Sequence, residues 1–366
     1  MTIKRLHISG VRNLEKVEID DCGSVNIFTG ANGSGKTSVL ESLFILARAR
    51  SFRSSKLNPV INHLATRCVV FGELQDQSTI GVMRSRSDQQ LFKVNGNPVH
   101  SASQLADALP LQLINAESFS LLEGGPRVRR QFLDWGVFHV EPEFLFHWRR
   151  IQKAIKQRNT LLRHRAGLNK HGVGKNGRIG DSELAPWDAE LVLCAEAVDV
   201  MRAAYIRRLA PHFLHLLGVL VALEKPEIHY RRGWSDDFSL AQVLERDKPR
   251  DSQHGSTHSG PQRADIDIRV GGRPAEEVLS RGQEKLLACA LMLAQGVLLH
   301  ELTGKTCIYL VDDLPAELDR QHRQALCQQL SAMRSQVFVT ATDPDSLRDC
   351  WPTGSGTKWF HVEQGQ

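Results

Sequence analysis

The chain has no arrangement of cysteines that would build a disulfide framework or a zinc site. Its seven cysteines are scattered, odd in number and never arranged as a C-x-x-C pair. This distribution predicts reduced, mostly buried thiols and therefore a reducing compartment. A small secreted fold held together by disulfides is excluded.

Segments that direct a chain to a membrane are also missing from the sequence. Residues 1–5 lack the apolar core of a signal peptide and lead directly into a strand pattern. No apolar run is long enough to span a bilayer. We therefore expect a cytoplasmic protein with no membrane partner.

The composition is that of an ordinary soluble globular protein. With 366 residues, 41% of them hydrophobic and 24% charged, the chain is long enough for roughly two or three domains and a large core. The net charge of +5 and the pI of about 8.8 are mildly basic. This balance permits a polyanionic partner without requiring one.

One stretch near the N-terminus has the pattern of a phosphate-binding loop. An apolar run at 25–29 predicts a buried strand before it, and the pattern at 38–50 predicts a helix after it, which is the context that the motif requires. Glycines let backbone N–H groups surround phosphate oxygens at a helix N-terminus, with the lysine on the β- and γ-phosphates and the threonine on Mg²⁺. The alternative is a glycine-rich turn that carries a lysine by chance. The residues that match G-x-x-x-x-G-K-[ST] are Gly30, Ala31, Asn32, Gly33, Ser34, Gly35, Lys36 and Thr37.

Two acids follow an apolar run later in the chain. Residues 307–311 predict a strand that ends at Asp312 and Asp313. Ligands of open α/β sheets gather at the carboxyl ends of strands, where phosphate-loop ATPases place their Mg²⁺-binding carboxylate. Asp312 is then the metal-side acid, and Asp313 would orient or deprotonate the attacking water. Two acids after a strand are otherwise often only a turn.

A second candidate anion site begins the long helical run at 286–299. A hydroxyl and a glycine at a helix N-terminus favour an anion. One chain cannot easily close both anion sites on the same γ-phosphate, whereas a second subunit can in a two-fold dimer. Ser280 with Gln283 is also a capping box, and both readings are compatible. The stretch runs through Ser280, Arg281, Gly282 and Gln283.

The remaining regions are less specific. Arg12 and Asn13 lie in a loop between two predicted strands and are either turn formers or residues that face the nucleotide. Residues 67–99 predict an antiparallel sheet with a hairpin turn at Asn95-Gly96. The polar stretch at 246–261 predicts a surface loop.

The middle of the chain is helical and basic. Two antiparallel helices are predicted on either side of a mobile tip at about 164–182. Neither is long enough for an extended coiled coil. One helix face is cationic, because Arg149, Arg150, Lys153 and Lys156 lie at helical spacings.

The motifs together resemble a known family. Residues 279–283 resemble the signature motif of ABC-type ATPases, and residues 316–319, with Glu317 and Asp319, resemble their D-loop. Over nearly the full length the chain resembles the RecF family of bacterial recombination and replication-repair proteins. The stretches that carry this resemblance are 119–126, 129–135 and 260–265.

The resemblance implies an ABC-type ATPase head, which is an α/β fold with a mixed sheet around the phosphate loop and an antiparallel β subdomain, plus a helical insertion with a short helical hairpin. The expected domains are 1–115, 116–225 and 226–366. It also implies ATP on the phosphate loop with Lys36 as a catalytic residue, and Mg²⁺ on Thr37 and Asp312. The residues at 280–283 would contact the ATP of a partner subunit.

The resemblance further implies a weak ATPase that forms ATP-dependent dimers on duplex DNA beside single-stranded gaps. The cationic residues Arg149, Arg150, Lys153 and Lys156 would then contact DNA phosphates. The implied partners are RecO and RecR, with which such a protein would load the strand-exchange recombinase and support the SOS response.

Three departures from the ABC pattern stand out. Asp313 replaces the usual glutamate and is one methylene shorter, which fits slow hydrolysis. No glutamine occupies the Q-loop, where Asn115 and Glu117 are nearest. Thr340 and Thr342 stand where a switch histidine is expected.

Two other classes of protein remain as alternatives. The ATPase subunit of a transporter would share the signature motif but lacks so large a helical insertion. A small-molecule kinase would share the phosphate loop but has no need of residues 280–283.

Overall fold

The structure is a computed structural model that describes residues 2–56, 58–166, 181–351 and 356–363. The chain divides into two compact units. The first unit comprises Met1–Ser120, His215–Ala222 and Leu279–Gln366. The second unit comprises Leu121–Leu214 and Leu223–Val278.

The strands and α-helices of the described ranges are numbered in chain order. The strands are β1 (Ile3–Val11), β2 (Leu14–Ile19), β3 (Val25–Thr29), β4 (Arg67–Leu74), β5 (Thr79–Ser85), β6 (Gln90–Val94), β7 (Asn97–Val99), β8 (Leu111–Ile114), β9 (Pro226–Arg231), β10 (Asp265–Val270), β11 (Arg273–Pro274), β12 (Ile308–Val311), β13 (Val337–Ala341) and β14 (Thr357–His361). The helices are α1 (Lys36–Arg48), α2 (Ala102–Ala108), α3 (Gly125–Val140), α4 (Phe144–Arg165), α5 (Asp181–Leu220), α6 (Leu240–His254), α7 (Ala275–Val278), α8 (Arg281–Thr303), α9 (Leu314–Glu317), α10 (Arg320–Ala332) and α11 (Asp345–Arg348).

A parallel sheet in the first unit positions the candidate site. Its strand order is β14-β3-β13-β12-β8, and its paired strands run parallel. Every residue of β3, β12 and β13 is buried, as expected for central strands that are covered on both faces. The carboxyl ends of these three strands therefore meet at one edge of the sheet.

The first unit also contains an antiparallel sheet of order β2-β1-β4-β5-β6-β7. The predicted hairpin between β6 and β7 is confirmed. Asn95 and Gly96 both have positive φ, at 52° and 76°, which is the geometry of a type I′ turn. Helix α1 contacts strands of both sheets, and eleven of its thirteen residues are buried. The phosphate-binding loop is thus held by a helix buried on most sides.

The second unit combines helices with a small antiparallel sheet of order β11-β10-β9. Two ion pairs show that helix α4 runs antiparallel to α5: Arg150 pairs with Glu190, and Arg165 pairs with Asp181. The predicted helical hairpin is therefore present. Of its tip, predicted at 164–182, residues 167–180 lie outside the described residues.

The prediction of a surface loop at 246–261 is wrong. Helix α6 occupies Leu240–His254 and begins with a capping box between Ser239 and Gln242. The helix was not predicted because most of its residues are polar and its buried aliphatic residues lie only in the first turns. Pro249 lies inside it, although proline usually interrupts a helix.

The two units divide the chain differently from the predicted domains. Residues 223–278 belong to the second unit, whereas the predicted third domain began at 226. The reason is pairing: β9 pairs with β10 along its whole length, and α3 packs against β10. These strands thus form part of the second unit's own sheet.

The expectation that no apolar run is long enough to span a bilayer is wrong for helix α8. By length and composition, Arg281–Thr303 is sufficiently long and apolar to do so. However, 72% of its most apolar window is buried inside the fold. Leu287, Leu291 and Leu298 are among its fully buried side chains. Within the described residues, α8 is a core helix of the first unit.

Candidate nucleotide-binding site

The predicted phosphate-binding loop connects β3 to α1. Gly30 and Gly35 have φ of 150° and 122°, which side chains rarely allow. A Cβ atom at Gly30 would lie 2.3 Å from the Val362 carbonyl oxygen. The Nζ atom of Lys36 donates hydrogen bonds of 2.8 Å to the carbonyl oxygens of both Gly30 and Ala31. The lysine side chain therefore folds back over the loop, where it was predicted to bind the phosphates of a nucleotide.

The two predicted acids meet the loop at the edge of the parallel sheet. The Thr37 hydroxyl donates a 2.9 Å hydrogen bond to Asp312 Oδ1. The Thr340 hydroxyl donates to the same oxygen at 2.8 Å and accepts a hydrogen bond from the Asp313 backbone N–H at 2.8 Å. Four residues from three segments of the chain thus form one connected network.

The charges at this edge influence one another. Burial raises the pKa of Asp313, and repulsion from Asp312 raises it further, while Lys36 opposes both. Burial lowers the pKa of Lys36, and Asp313 and Asp312 oppose that shift. Asp313 also has a left-handed backbone, with φ at 51°, which aspartate tolerates better than most residues. An acid with a raised pKa is suited to receive a proton.

The donors fit Mg²⁺ bound together with a nucleotide. This ion is usually held by one or two carboxylates plus substrate phosphates, through oxygen ligands. Thr37 and Asp312 supply a hydroxyl and a carboxylate oxygen 2.9 Å apart. Among the described residues no group of three or more His, Cys, Asp or Glu side chains could hold a metal. The ion would therefore depend on the phosphates for the rest of its ligands.

Asn13 supports the loop from the first hairpin. Its Nδ2 atom donates to the carbonyl oxygens of Gly33 at 3.2 Å and Ser34 at 3.0 Å. Its Oδ1 atom accepts a 2.9 Å hydrogen bond from the Ser38 hydroxyl. One side chain therefore connects the middle of the phosphate-binding loop to the first turn of α1.

A cavity of about 550 Å³ opens beside the loop. The sequence-predicted residues that line it are Arg12, Asn13, Asn32, Gly33, Gly35, Lys36, Thr37 and Asp313. Thr340 and Thr342, which stand where a switch histidine is expected, also line the cavity, as does Ser38, which directly follows the motif. The remaining lining residues lie in the chain at distances from the motif that no local pattern reveals, and they are Arg53, Pro59, Ile61 and His63.

The signature stretch lies elsewhere on the first unit. Ser280 caps α8, and its hydroxyl accepts the Gln283 N–H at 3.4 Å while Gln283 Oε1 accepts the Ser280 N–H at 3.0 Å. Ser280, Arg281 and Gly282 are exposed. None of the four residues at 280–283 is among the described residues that line the cavity. The capping box is confirmed.

The D-loop residues have structural contacts of their own. Glu317 forms a 2.8 Å ion pair with Lys285 of α8. Asp319 caps α10 and accepts the His322 N–H at 3.1 Å. The hydrogen bonds from His322 lower the pKa of Asp319. Both nearest candidates for the missing Q-loop glutamine are at the end of β8, where Asn115 accepts hydrogen bonds from Ser118.

The predicted cationic face lies on α4 of the second unit. Arg149, Lys153 and Lys156 are exposed. Arg150 is partly buried and pairs with Glu190 of α5, with 2.6 Å between Nη2 and Oε2. Three of the four predicted DNA-contacting residues are thus exposed, and the fourth forms an ion pair with Glu190.

Comparison with known proteins places the whole chain in one group. The sequence profile of the RecF/RecN/SMC N terminal domain matches residues 2–357. The DNA replication and repair protein RecF of Pseudomonas savastanoi pv. phaseolicola is 48% identical over 100% of this chain and 98% of its own length. The RecF protein of Pseudomonas putida is 49% identical over the same shares.

Solved structures give the same grouping. A structure of the recombination mediator protein RecF with ATP in the RecFOR pathway aligns with a TM-score of 0.84 at 25% identity, covering 100% of this chain and 96% of the other. The Smc head domain of Pyrococcus furiosus aligns with a TM-score of 0.55 at 15% identity, covering 95% and 91%, and shows the fold alone. The expected ABC-type ATPase fold is confirmed, and the chain belongs to the RecF family.

Proposed function

We propose that the protein is an ATP-dependent DNA-binding protein of DNA replication and recombinational repair, in which ATP acts as a switch. The observation that carries the proposal is the 2.9 Å hydrogen bond between Thr37 and Asp312. It joins the phosphate-binding loop to the acid predicted to hold Mg²⁺, as a phosphate-loop ATPase requires. Family membership adds the DNA repair context. The transporter and kinase alternatives have no support from the relatives.

The bound ATP joins two subunits. Ser280 lies at the N-terminus of a helix of 23 residues, where the dipole favours an anion. A Cβ at Gly282 would have no neighbour within 4 Å, so there is room for a phosphate to approach. Because 280–283 do not line the described cavity of their own chain, they are available to the γ-phosphate held by a second copy. A two-fold dimer then has two such shared sites.

Hydrolysis is slow, which suits a switch. Asp313, in the position of the usual glutamate, has a short side chain on a left-handed backbone. Its raised pKa favours proton acceptance, but its reach toward a water is smaller. ATP therefore remains long enough to keep a dimer closed on DNA.

Duplex DNA beside a single-stranded gap is the proposed binding partner. Arg149, Lys153 and Lys156 supply cationic contacts to phosphates, which makes binding strongly salt-dependent. RecO and RecR are the proposed partners in loading the recombinase, in the cytoplasm and as part of the SOS response. Unchanged DNA binding between low and physiological salt would refute the phosphate contacts.

The decisive experiment is sedimentation with ATP and gapped DNA. Wild type should dimerise, while Lys36→Met and Ser280→Arg should each stay monomeric. A mixture of the two variants should restore at most one shared site per dimer. Full dimerisation of Ser280→Arg by itself would refute the shared site.

A further inference from the structure

Thr340 is one of the two threonines, with Thr342, that stand where ABC-type ATPases carry a switch histidine. It lies at the carboxyl-terminal part of β13, next to the end of β12 in the parallel sheet. Its side chain is almost completely buried, with 1% of the residue exposed. A buried hydroxyl must satisfy its hydrogen bonds within the protein, so the identity of its partners is informative.

Its two partners belong to the two predicted acids, the metal-side Asp312 and the catalytic Asp313. A backbone N–H can only donate, so the Thr340 oxygen accepts from the Asp313 N–H at 2.8 Å. A hydroxyl has one proton, and this proton is donated to Asp312 Oδ1 at 2.8 Å. The direction of each hydrogen bond is therefore determined by chemistry.

The two hydrogen bonds restrict different parts of the two acids. Asp312 Oδ1 is held between the hydroxyls of Thr37 and Thr340, which fixes the rotation of the carboxylate. The Asp313 N–H is held where the chain turns left-handed at φ 51°. A conformation of this kind persists only when its surroundings maintain it.

We propose that Thr340 is a positioning residue that orients Asp312 toward Mg²⁺ and holds the turn at Asp313. The proposal rests on the proposed function as an ATP-binding protein and names a residue that the site depends on. Thr340 acts through the two acids, as hydrogen-bonding partners of metal ligands generally do.

A purely structural role is the alternative, and the second unit offers a matched control for it. The buried Thr257 has the same kind of environment: its hydroxyl donates to Asn159 Oδ1 at 2.7 Å and accepts from Arg158 Nη1 at 2.9 Å. Replacing either threonine by valine removes one buried hydroxyl and preserves shape. Of these two threonines, only Thr340 contacts the predicted acids.

The experiment measures how ATP binding depends on Mg²⁺. Wild type, Thr340→Val, Thr340→Ser and Thr257→Val are titrated with a fluorescent ATP analogue at a series of Mg²⁺ concentrations and with EDTA. Thermal unfolding is recorded for each. Thr340→Val should need roughly 10-fold more Mg²⁺ for half-maximal tightening of ATP binding, with unchanged affinity in EDTA. Thr340→Ser should behave within about twofold of wild type, because the hydroxyl is retained.

The outcomes separate the two levels of the proposal. If wild type does not bind the analogue with Mg²⁺, the proposed function fails. If wild type binds but Thr340→Val has the same Mg²⁺ requirement, the positioning role is overturned. It is also overturned if Thr257→Val shifts the requirement equally, or if serine does not restore it. Should Thr340→Val not fold, Thr340→Ala gives the same comparison without placing a methyl group against the carboxylate.

Discussion

Arg12 holds the fully buried carboxylate of Glu41 through two hydrogen bonds, of 2.9 Å from Nε and 2.8 Å from Nη2. Its Nη1 atom also donates to the Pro59 carbonyl oxygen at 2.8 Å. The hydrogen bond with Glu41 raises the pKa of the guanidinium, although burial opposes it. Arg12 lines the cavity beside the phosphate-binding loop. Its hydrogen bonds also make it an anchor that connects the first hairpin to α1.

Replacing Arg12 by alanine should destabilise the first unit. The substitution leaves the buried Glu41 carboxylate without its main partner, which costs about 3 kcal/mol of unfolding free energy. Arg53, at 3.7 Å from Glu41, limits the loss. Urea unfolding measures the effect, with the exposed Arg67→Ala as the control, expected within about 0.5 kcal/mol of wild type. Equal losses for the two variants would contradict the anchor.

Asn13→Ala should weaken ATP binding. The side chain makes three hydrogen bonds that hold the phosphate-binding loop, and losing them should reduce ATP affinity by about tenfold. Equilibrium binding of ATP measures the change. The exposed Asn97→Ala is the control and should bind ATP like wild type. An Asn13→Ala protein with wild-type affinity would mean that the loop keeps its shape without this support.

Lys285→Met should show whether the pair with Glu317 stabilises the protein. The side chains are 28% and 19% exposed, and Lys285 Nζ also lies 5.5 Å from the Phe119 ring centroid. Together these contacts should contribute about 1 kcal/mol. A double-mutant cycle with Glu317→Gln, followed by urea unfolding, measures the coupling. Additive effects of the two substitutions would show that the pair contributes nothing.

Lys153→Ala should lower the salt dependence of DNA binding. Each lost phosphate contact reduces the slope of log K against log salt by about 0.9. Arg150→Ala should change the slope less, because Glu190 already neutralises that guanidinium. Binding of duplex DNA measured over a range of salt concentrations tests both variants. A larger change in slope for Arg150→Ala than for Lys153→Ala would show that Arg150, and not Lys153, makes the stronger contact with DNA phosphates.

Cys350 should react with iodoacetamide in a pH-dependent way around neutrality. The pKa of Cys350 is lowered to about 7, mainly by the hydrogen bond with Cys327 and also by Arg323, while burial opposes both. Because the pKa is lowered, thiolate forms as pH rises through about 7, and labelling should increase about tenfold from pH 6 to pH 8. Mass spectrometry of the labelled peptide measures it. Cys22 is the internal control, because it is only partly buried and burial raises its pKa to about 12.

Arg323→Gln provides the test of the cause. It should raise the pKa of Cys350 and move the labelling curve to higher pH. A curve that does not move would assign the shift to Cys327 by itself.

The sequence by itself determined the features that depend on local order. A glycine loop between a strand and a helix, an Asn-Gly hairpin and a capping box are each formed by residues within a few positions, so their chemistry is readable from spacing. The strand that delivers Asp312 and Asp313 was equally clear because its residues are all apolar. Helix α6 was not predicted, because its residues are mostly polar and show no clear apolar pattern.

Only the tertiary structure decided which distant residues meet. The strand order β3-β13-β12 brings Thr340 between the phosphate-binding loop and the acids, although nothing in its sequence neighbourhood distinguishes it from Thr342. Likewise, Arg12 is bound to Glu41 and Arg150 to Glu190 because hairpins and helices pack side by side. Spacing along a chain specifies local geometry, but contacts between segments follow from how sheets and helices are paired, which spacing does not encode.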